Sequence, residues 1–171
     1  MQVRKARRED LPEVMELIRR VVPLMQKSGN FQWDAEYPNI EVFERDIERD
    51  QLWVAVSGGK TAAIAAITTE QEPEYINVGW DISEPAVVVH RLAVDPAFRG
   101  QGAAMDLMLQ AELVAKQRDI RVLRVDTNTR NEATQRLFPK LGYVLAGETA
   151  LGFRPALRFR CYEKRLSTET V

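Results

Sequence analysis

One stretch constrains this chain more than any other: "HRLAVDPAFRGQGAAMDLMLQ", His90 to Gln110. An apolar β-type run breaks at Asp95-Pro96, crosses Arg99-Gly100-Gln101-Gly102 and turns at once into a helical pattern. A strand, a tight glycine loop and a helix in that order bring unpaired main-chain N–H groups and the positive end of a helix dipole to one place. That arrangement suits an anion, above all a phosphate. Gly100 and Gly102 permit backbone angles that other residues resist and let a ligand come close to the main chain. Arg99 adds a fixed positive charge beside them. The loop lacks the Gly-Lys-Ser/Thr ending of a Walker loop, and Met105 stands where a dinucleotide fingerprint has its third glycine.

The rest of the chain supplies a frame for that unit. "VRKAR" reads as a short strand, followed by Asp10 as an N-cap with Glu13 three residues on, in the manner of a capping box. Leu11, Val14, Ile18, Val21 and Met25 then recur at helical spacing. An aromatic loop, "SGNFQWDAEYPN", leads to a second helix from about Ile40 to Arg49. "LWVAVSGGKTAAIAAITTE" is a hairpin turning at Ser57-Gly58-Gly59-Lys60. "AVVVHRLAV" is too apolar for a solvent-facing sheet and is predicted to be central. The helix after the glycine loop carries Ala104, Leu107, Met108, Ala111 and Val114 on one stripe. A strand "VLRVDTN", a short helix "NEATQRLF" and paired strands "GYVLAGETALG" and "LRFRCYEKRL" complete the chain. The order β-α-α-β-β-β-α-β-α-β-β predicts an α/β fold, α+β by some schemes. It would be a single domain over residues 1–171, with a mixed central sheet of about six or seven strands flanked by about four helices.

Composition narrows the function. The formal net charge is -1 and there is no basic block, so neither nucleic acid nor an anionic membrane is expected as a partner. One cysteine and one histidine leave no basis for a structural metal site, and none is expected. No run is apolar enough to span a bilayer, and "MQVRKARRED" has no signal-peptide core, so a cytoplasmic location is expected.

Two segments carry a resemblance. "RGQGAA" resembles the Arg/Gln-x-x-Gly-x-Gly/Ala loop of the GCN5-related N-acetyltransferases (GNAT), with Arg99, Gly102 and Ala104 in the defining positions. "NEATQRLFPKLGY" resembles the family's downstream Asn-x-x-Ala-x-x-Leu-Tyr-x-Lys-x-Gly-Phe segment. The match covers about residues 86 to 145, and "QWDAEYP" resembles a branch of bacterial members. The resemblance implies that the anion is the pyrophosphate of acetyl-coenzyme A, held by the main chain of Arg99, Gly100, Gln101, Gly102, Ala103 and Ala104. The pantetheine arm would lie along Leu92, Ala93 and Val94 like an added strand, with Asn131 and Phe138 close to the same ligand. Asn131 is equally suited to capping its helix. No metal is implied. The acceptor would be an amine, on a small molecule or a peptide. Homodimers are common among relatives, though no feature here establishes one.

Acetyl transfer needs a neutral amine, a donor for the carbonyl oxygen and a proton for the departing sulfur. His90, just before the thioester-binding backbone, is the candidate base. A main-chain N–H near Leu92 would serve the oxygen. The proton donor is where the chain departs from the family: Phe138 replaces the usual tyrosine, and Pro139 is expected to disfavour helical geometry there. That departure keeps a non-catalytic acyl-coenzyme-A-binding or sensing module as the alternative. Tyr143 is expected to pack in the core and Cys161 to pack rather than carry an acetyl group. Phe31, Trp33, Tyr37 and Trp80 could line an acceptor pocket, with Asp34 or Glu36 meeting a cation, or could staple helices onto the sheet.

Overall fold

The glycines at the hairpin turn set the first register. Leu52–Ser57 (β2) and Lys60–Thr68 (β3) pair antiparallel through Gly58 and Gly59, whose φ values are 56° and 77°. Two successive positive φ angles match the twist of the flanking strands, which is why glycine is needed at both. A computed structural model describes residues 1–167. Its remaining elements are β1 (Gln2–Lys5), α1 (Leu11–Lys27), α2 (Ile40–Glu48), β4 (Val87–Val94), α3 (Ala103–Gln117), β5 (Val122–Asn128), α4 (Glu132–Lys140), β6 (Val144–Leu151) and β7 (Arg154–Arg165). The sheet is seven-stranded and mixed, in the order β1-β2-β3-β4-β5-β7-β6. β4 runs parallel to β5, while β1/β2, β2/β3, β5/β7 and β6/β7 are antiparallel. The strand read as central is indeed fourth of seven.

The chain divides into two compact units, Met1–Ile67 with His90–Gln110, and Thr68–Val89 with Ala111–Val171. In the first, Leu11, Val14, Leu17, Ile18, Val21 and Val22 form the buried stripe of α1 and share a core with Trp33, Phe43, Val54, Ile64 and Ala93. In the second, Tyr75, Val88, Val122, Leu151, Phe159 and Cys161 pack together. There the guanidinium of Arg124, buried to 1% exposure, pairs with Glu163 at 2.9 Å and lies 4.9 Å from the Trp80 ring centre.

Two local expectations are corrected. Asp10 does not cap α1 through its side chain; its carboxylate accepts from the Arg7 N–H and from the Arg4 guanidinium, each at 2.7 Å. The cationic partner wins because it offers a charge-assisted pair that the helix amides cannot match. Glu13, expected to complete the box, accepts the Thr61 N–H at 2.9 Å instead. Phe138 and Pro139 both lie inside α4, which continues to Lys140. The proline costs one internal donor, and the bonding resumes past it, the Leu141 N–H donating to Leu137 O at 3.2 Å and the Gly142 N–H to Pro139 O at 3.0 Å.

Candidate active site

The glycine loop is built from the strand outward. Asp95, at 2% exposure, accepts the Ala97 N–H at 2.9 Å and a charge-assisted bond from Arg20, while its own N–H donates to Ala62 O at 2.8 Å. These bonds fix the direction in which the chain leaves β4. Gly100 and Gly102 then take φ values of 75° and 84°, both in the left-handed region. A Cβ on Gly100 would meet nothing within 4 Å, and one on Gly102 only the Met105 methyl at 3.9 Å. Glycine is therefore needed there for backbone conformation, and the space above the loop is open.

The first bond into α3 runs from the Asp106 N–H to Gly102 O at 3.0 Å. The amides of Ala103, Ala104 and Met105 precede it, so helix geometry gives them no intrahelical carbonyl. With the helix dipole and exposed Arg99, this donor set fits a phosphate-bearing ligand.

β4 supplies the other half. His90, Leu92 and Val94 are half-buried and Ala93 is buried. Between His90 and Leu92, Arg91 stands at φ 52°. Its guanidinium donates to both carboxylate oxygens of Asp46, at 2.8 and 2.7 Å, and lies 3.4 Å from the Tyr37 hydroxyl. Burial opposes the Arg91 charge, but Asp46 and Tyr37 more than offset it and hold its pKa above the ordinary arginine value. The first unit thus brings His90, Leu92, Ala93, Val94 and the whole Arg99–Ala104 loop onto one strand–loop–helix.

The second unit holds Asn131 and Phe138. Asn131 caps α4, its side-chain oxygen accepting the Thr134 N–H at 3.2 Å. The Phe138 ring is 1% exposed and lies 5.4 Å from the Tyr162 ring and 5.9 Å from that of Tyr143. The Tyr143 hydroxyl is buried without a hydrogen-bond partner, and burial, helped by Glu112, pushes its pKa well up.

A titratable group that the sequence reading did not single out is Asp126 on β5. It accepts the Tyr75 hydroxyl at 2.6 Å. Burial raises its carboxyl to about 7 against the lowering effect of that bond, and Glu72 adds to the rise. Cys161 pairs with it across β5 and β7, and burial together with Asp126 pushes the thiol up to about 12. A lone carboxylate inside the apolar run "VLRVDTN" was the available signal.

Among the aromatics, Trp33 lies in the first unit's core and Trp80 stands edge-on to Tyr75 at 5.0 Å. Both therefore staple. Tyr37 packs on the first core and reaches Arg91, and Phe31 is 56% exposed. Asp34 accepts the Glu36 and Tyr37 N–H groups at 2.8 and 2.9 Å, closing its own loop.

A mixed sheet whose fourth strand carries one left-handed residue, Arg91, and delivers a glycine loop to a helix start defines an α/β protein with an anion-binding strand–loop–helix unit. The chain belongs to the Acetyltransferase (GNAT) family, whose pattern matches residues 13–143. It is 23% identical over 165 residues to the uncharacterized N-acetyltransferase YesJ of Bacillus subtilis, covering 94% of this chain and 88% of that one. A GNAT-family acetyltransferase from Streptococcus agalactiae superposes with a TM-score of 0.82 at 27% identity, over 98% of this chain and 96% of the other. YncA of Salmonella typhimurium, solved with its cofactor acetyl-CoA, shares the fold with a TM-score of 0.68 at 15% identity, over 99% and 96% of the two chains. Among the described residues no group of three or more His, Cys, Asp or Glu could hold a metal ion. No helix among them is long and apolar enough to cross a membrane.

Proposed function

We propose that this chain is an acetyl-CoA-dependent N-acetyltransferase that moves the acetyl group directly to an amine while both substrates are bound. The observation that carries this reading is the glycine loop: two left-handed glycines, open space above them and helix-start amides beside Arg99. Arg99, Gly100, Gln101, Gly102, Ala103 and Ala104 hold the pyrophosphate through main-chain N–H groups. The backbone of Leu92, Ala93 and Val94 carries the pantetheine arm. Asn131 is assigned to the same ligand through the family segment that it shares with Phe138.

Acetyl-CoA supplies an activated acetyl thioester. His90 accepts the proton lost by the amine as its nitrogen bonds to the carbonyl carbon, and the Leu92 N–H takes up charge on the carbonyl oxygen. The carbon–sulfur bond breaks, and the sulfur takes its proton from water, because Phe138 has none to give. Cys161 forms no acetyl intermediate: it is fully buried and its thiol is pushed far above neutrality.

One observation favours a second reading. Phe138 stands in place of a hydroxyl donor and is sealed among other rings, as a non-catalytic acyl-coenzyme-A-binding module would tolerate. Thiol release from acetyl-CoA across amines, polyamines, amino acids and short peptides separates the two, once the rate without acceptor is subtracted. Acceptor-dependent release is expected for one class of amine. Tight acetyl-CoA binding in calorimetry with no release across the panel would overturn transfer in favour of binding.

A further inference from the structure

β4 holds a conformation for which its sequence gives no local reason. The left-handed region costs a residue with a side chain about 1–2 kcal/mol. Asp50 and Asp119 also have positive φ, at 56° and 55°, but each follows the end of a helix, where such backbone is ordinary. Among the described residues with side chains, only Arg91 adopts it inside a strand, at 52°.

Strained backbone of this kind persists where the surroundings over-determine it, and here they do. Arg91 makes two near-parallel bonds to Asp46, at 2.8 and 2.7 Å. The side chains are 17% and 5% exposed, so solvent screens the pair little. A planar guanidinium gripping a carboxylate with two bonds is fixed in direction as well as in distance. The carboxylate is itself anchored, on α2 one turn beyond the fully buried Phe43. Stability alone is a poor explanation, since apolar side chains of similar volume commonly replace a buried ion pair without loss.

The position suggests the purpose. A left-handed residue inside a strand turns the adjoining peptides away from the regular ladder and re-aims what they carry. The N–H that follows Arg91 is that of Leu92. We propose that Arg91 and Asp46 are positioning residues, a clamp that holds the break in β4 so that the Leu92 N–H meets the thioester carbonyl oxygen. Tyr37 extends the clamp to the loop between α1 and α2. The inference rests on the acetyl-transfer reading above, and its test keeps the two apart.

The test follows the carbonyl carbon of [1-13C]acetyl-CoA by NMR, which needs no acceptor. Bound to the wild-type chain, the resonance should move downfield from its free position as the oxygen accepts a hydrogen bond. Asp46→Asn keeps shape and acceptor but removes the charge; Arg91→Lys keeps the charge but removes the two-bond grip. Either variant, shown to be folded by circular dichroism, should lose most of the downfield movement. Acetyl-CoA affinity, governed by the Arg99–Ala104 loop, should stay within about twofold. With an acceptor in hand, kcat should fall roughly 10- to 100-fold at unchanged KM for acetyl-CoA.

Full downfield movement in both folded variants would overturn the clamp and leave the acetyltransferase reading standing. So would loss of binding, or failure of both variants to fold, since either makes the pair a structural element only. A wild-type resonance that binds without moving removes the Leu92 donor and the clamp with it. Absence of any acetyl-CoA binding by the wild-type chain rejects the functional reading itself.

Discussion

Tyr143 carries the one buried tyrosine hydroxyl without a hydrogen-bond partner among the described residues. An unsatisfied buried hydroxyl costs the desolvation of its polar atom with nothing returned. Tyr143→Phe should therefore raise stability by about 1 kcal/mol, read as a higher urea midpoint at unchanged slope. A lower midpoint would show that the hydroxyl is bonded to water. At His90 the expectation is kinetic. His90→Gln should depress the rate most near neutral pH, with partial recovery at high pH as the acceptor amine loses its proton without help. A pH–rate profile like that of the wild-type chain would remove His90 from the mechanism. These residues differ in how far the sequence could expose them. His90 stood out as the only histidine, at the end of an apolar run. Asp126 did not, because its proton affinity comes from burial and from Glu72, working against the Tyr75 bond, and only the folded chain assembles that balance.

At the scale of elements, the loop between β4 and α3 is the most direct target. Gly102→Glu puts a carboxylate where main-chain amides would meet a pyrophosphate and should weaken coenzyme A binding roughly 100-fold or more. Because φ is 84° there, any side chain also strains the backbone, so Gly102→Ala serves as the control. The alanine variant should bind far better than the glutamate variant in calorimetry; equal losses would assign the effect to strain. α3 should survive both changes, since Leu107, Met108 and Ala111 are buried farther along. This element was legible because strand period, glycines and helix period are all local properties of the chain. The same held for the β2–β3 hairpin. Legibility ended where no local pattern chose the partner: Asp10 took Arg4 six residues back, Glu13 took Thr61 across 48 residues, and Arg91 took Asp46 across 45. Pro139 misled for a different reason. α4 gives up the single N–H bond at that position and still closes beyond it, the Leu141 and Tyr143 N–H groups donating to Leu137 O and Phe138 O at 3.2 and 3.0 Å.

For the whole molecule, near-balance of charge makes individual groups decisive. With 24 basic and 25 acidic residues, general repulsion adds little pH dependence around neutrality. Two opposed sets of carboxylates then shape the stability curve. Asp10 is held below the usual range by its bond from Arg4, and Glu84 by its bond from Arg165. Their contributions are present above the ordinary carboxylate pKa and are lost as pH falls through the depressed values. Asp126 acts the other way. Its folded pKa, raised to about 7, exceeds the ordinary value of 3.8, so the native chain binds a proton that the unfolded chain has released. Between these values stability falls as pH rises, by at most about 1.4 kcal/mol per pH unit for one proton. Urea unfolding measured from pH 4 to 8 should show this decline, flattening above about 7 as the native carboxyl finishes ionising. Asp126→Asn keeps an acceptor for the Tyr75 hydroxyl but does not titrate, so it should remove most of the decline and be relatively more stable at pH 7 than at pH 4. Parallel curves for variant and wild type would mean that Asp126 is ionised in the native chain throughout, with the Tyr75 bond outweighing its burial.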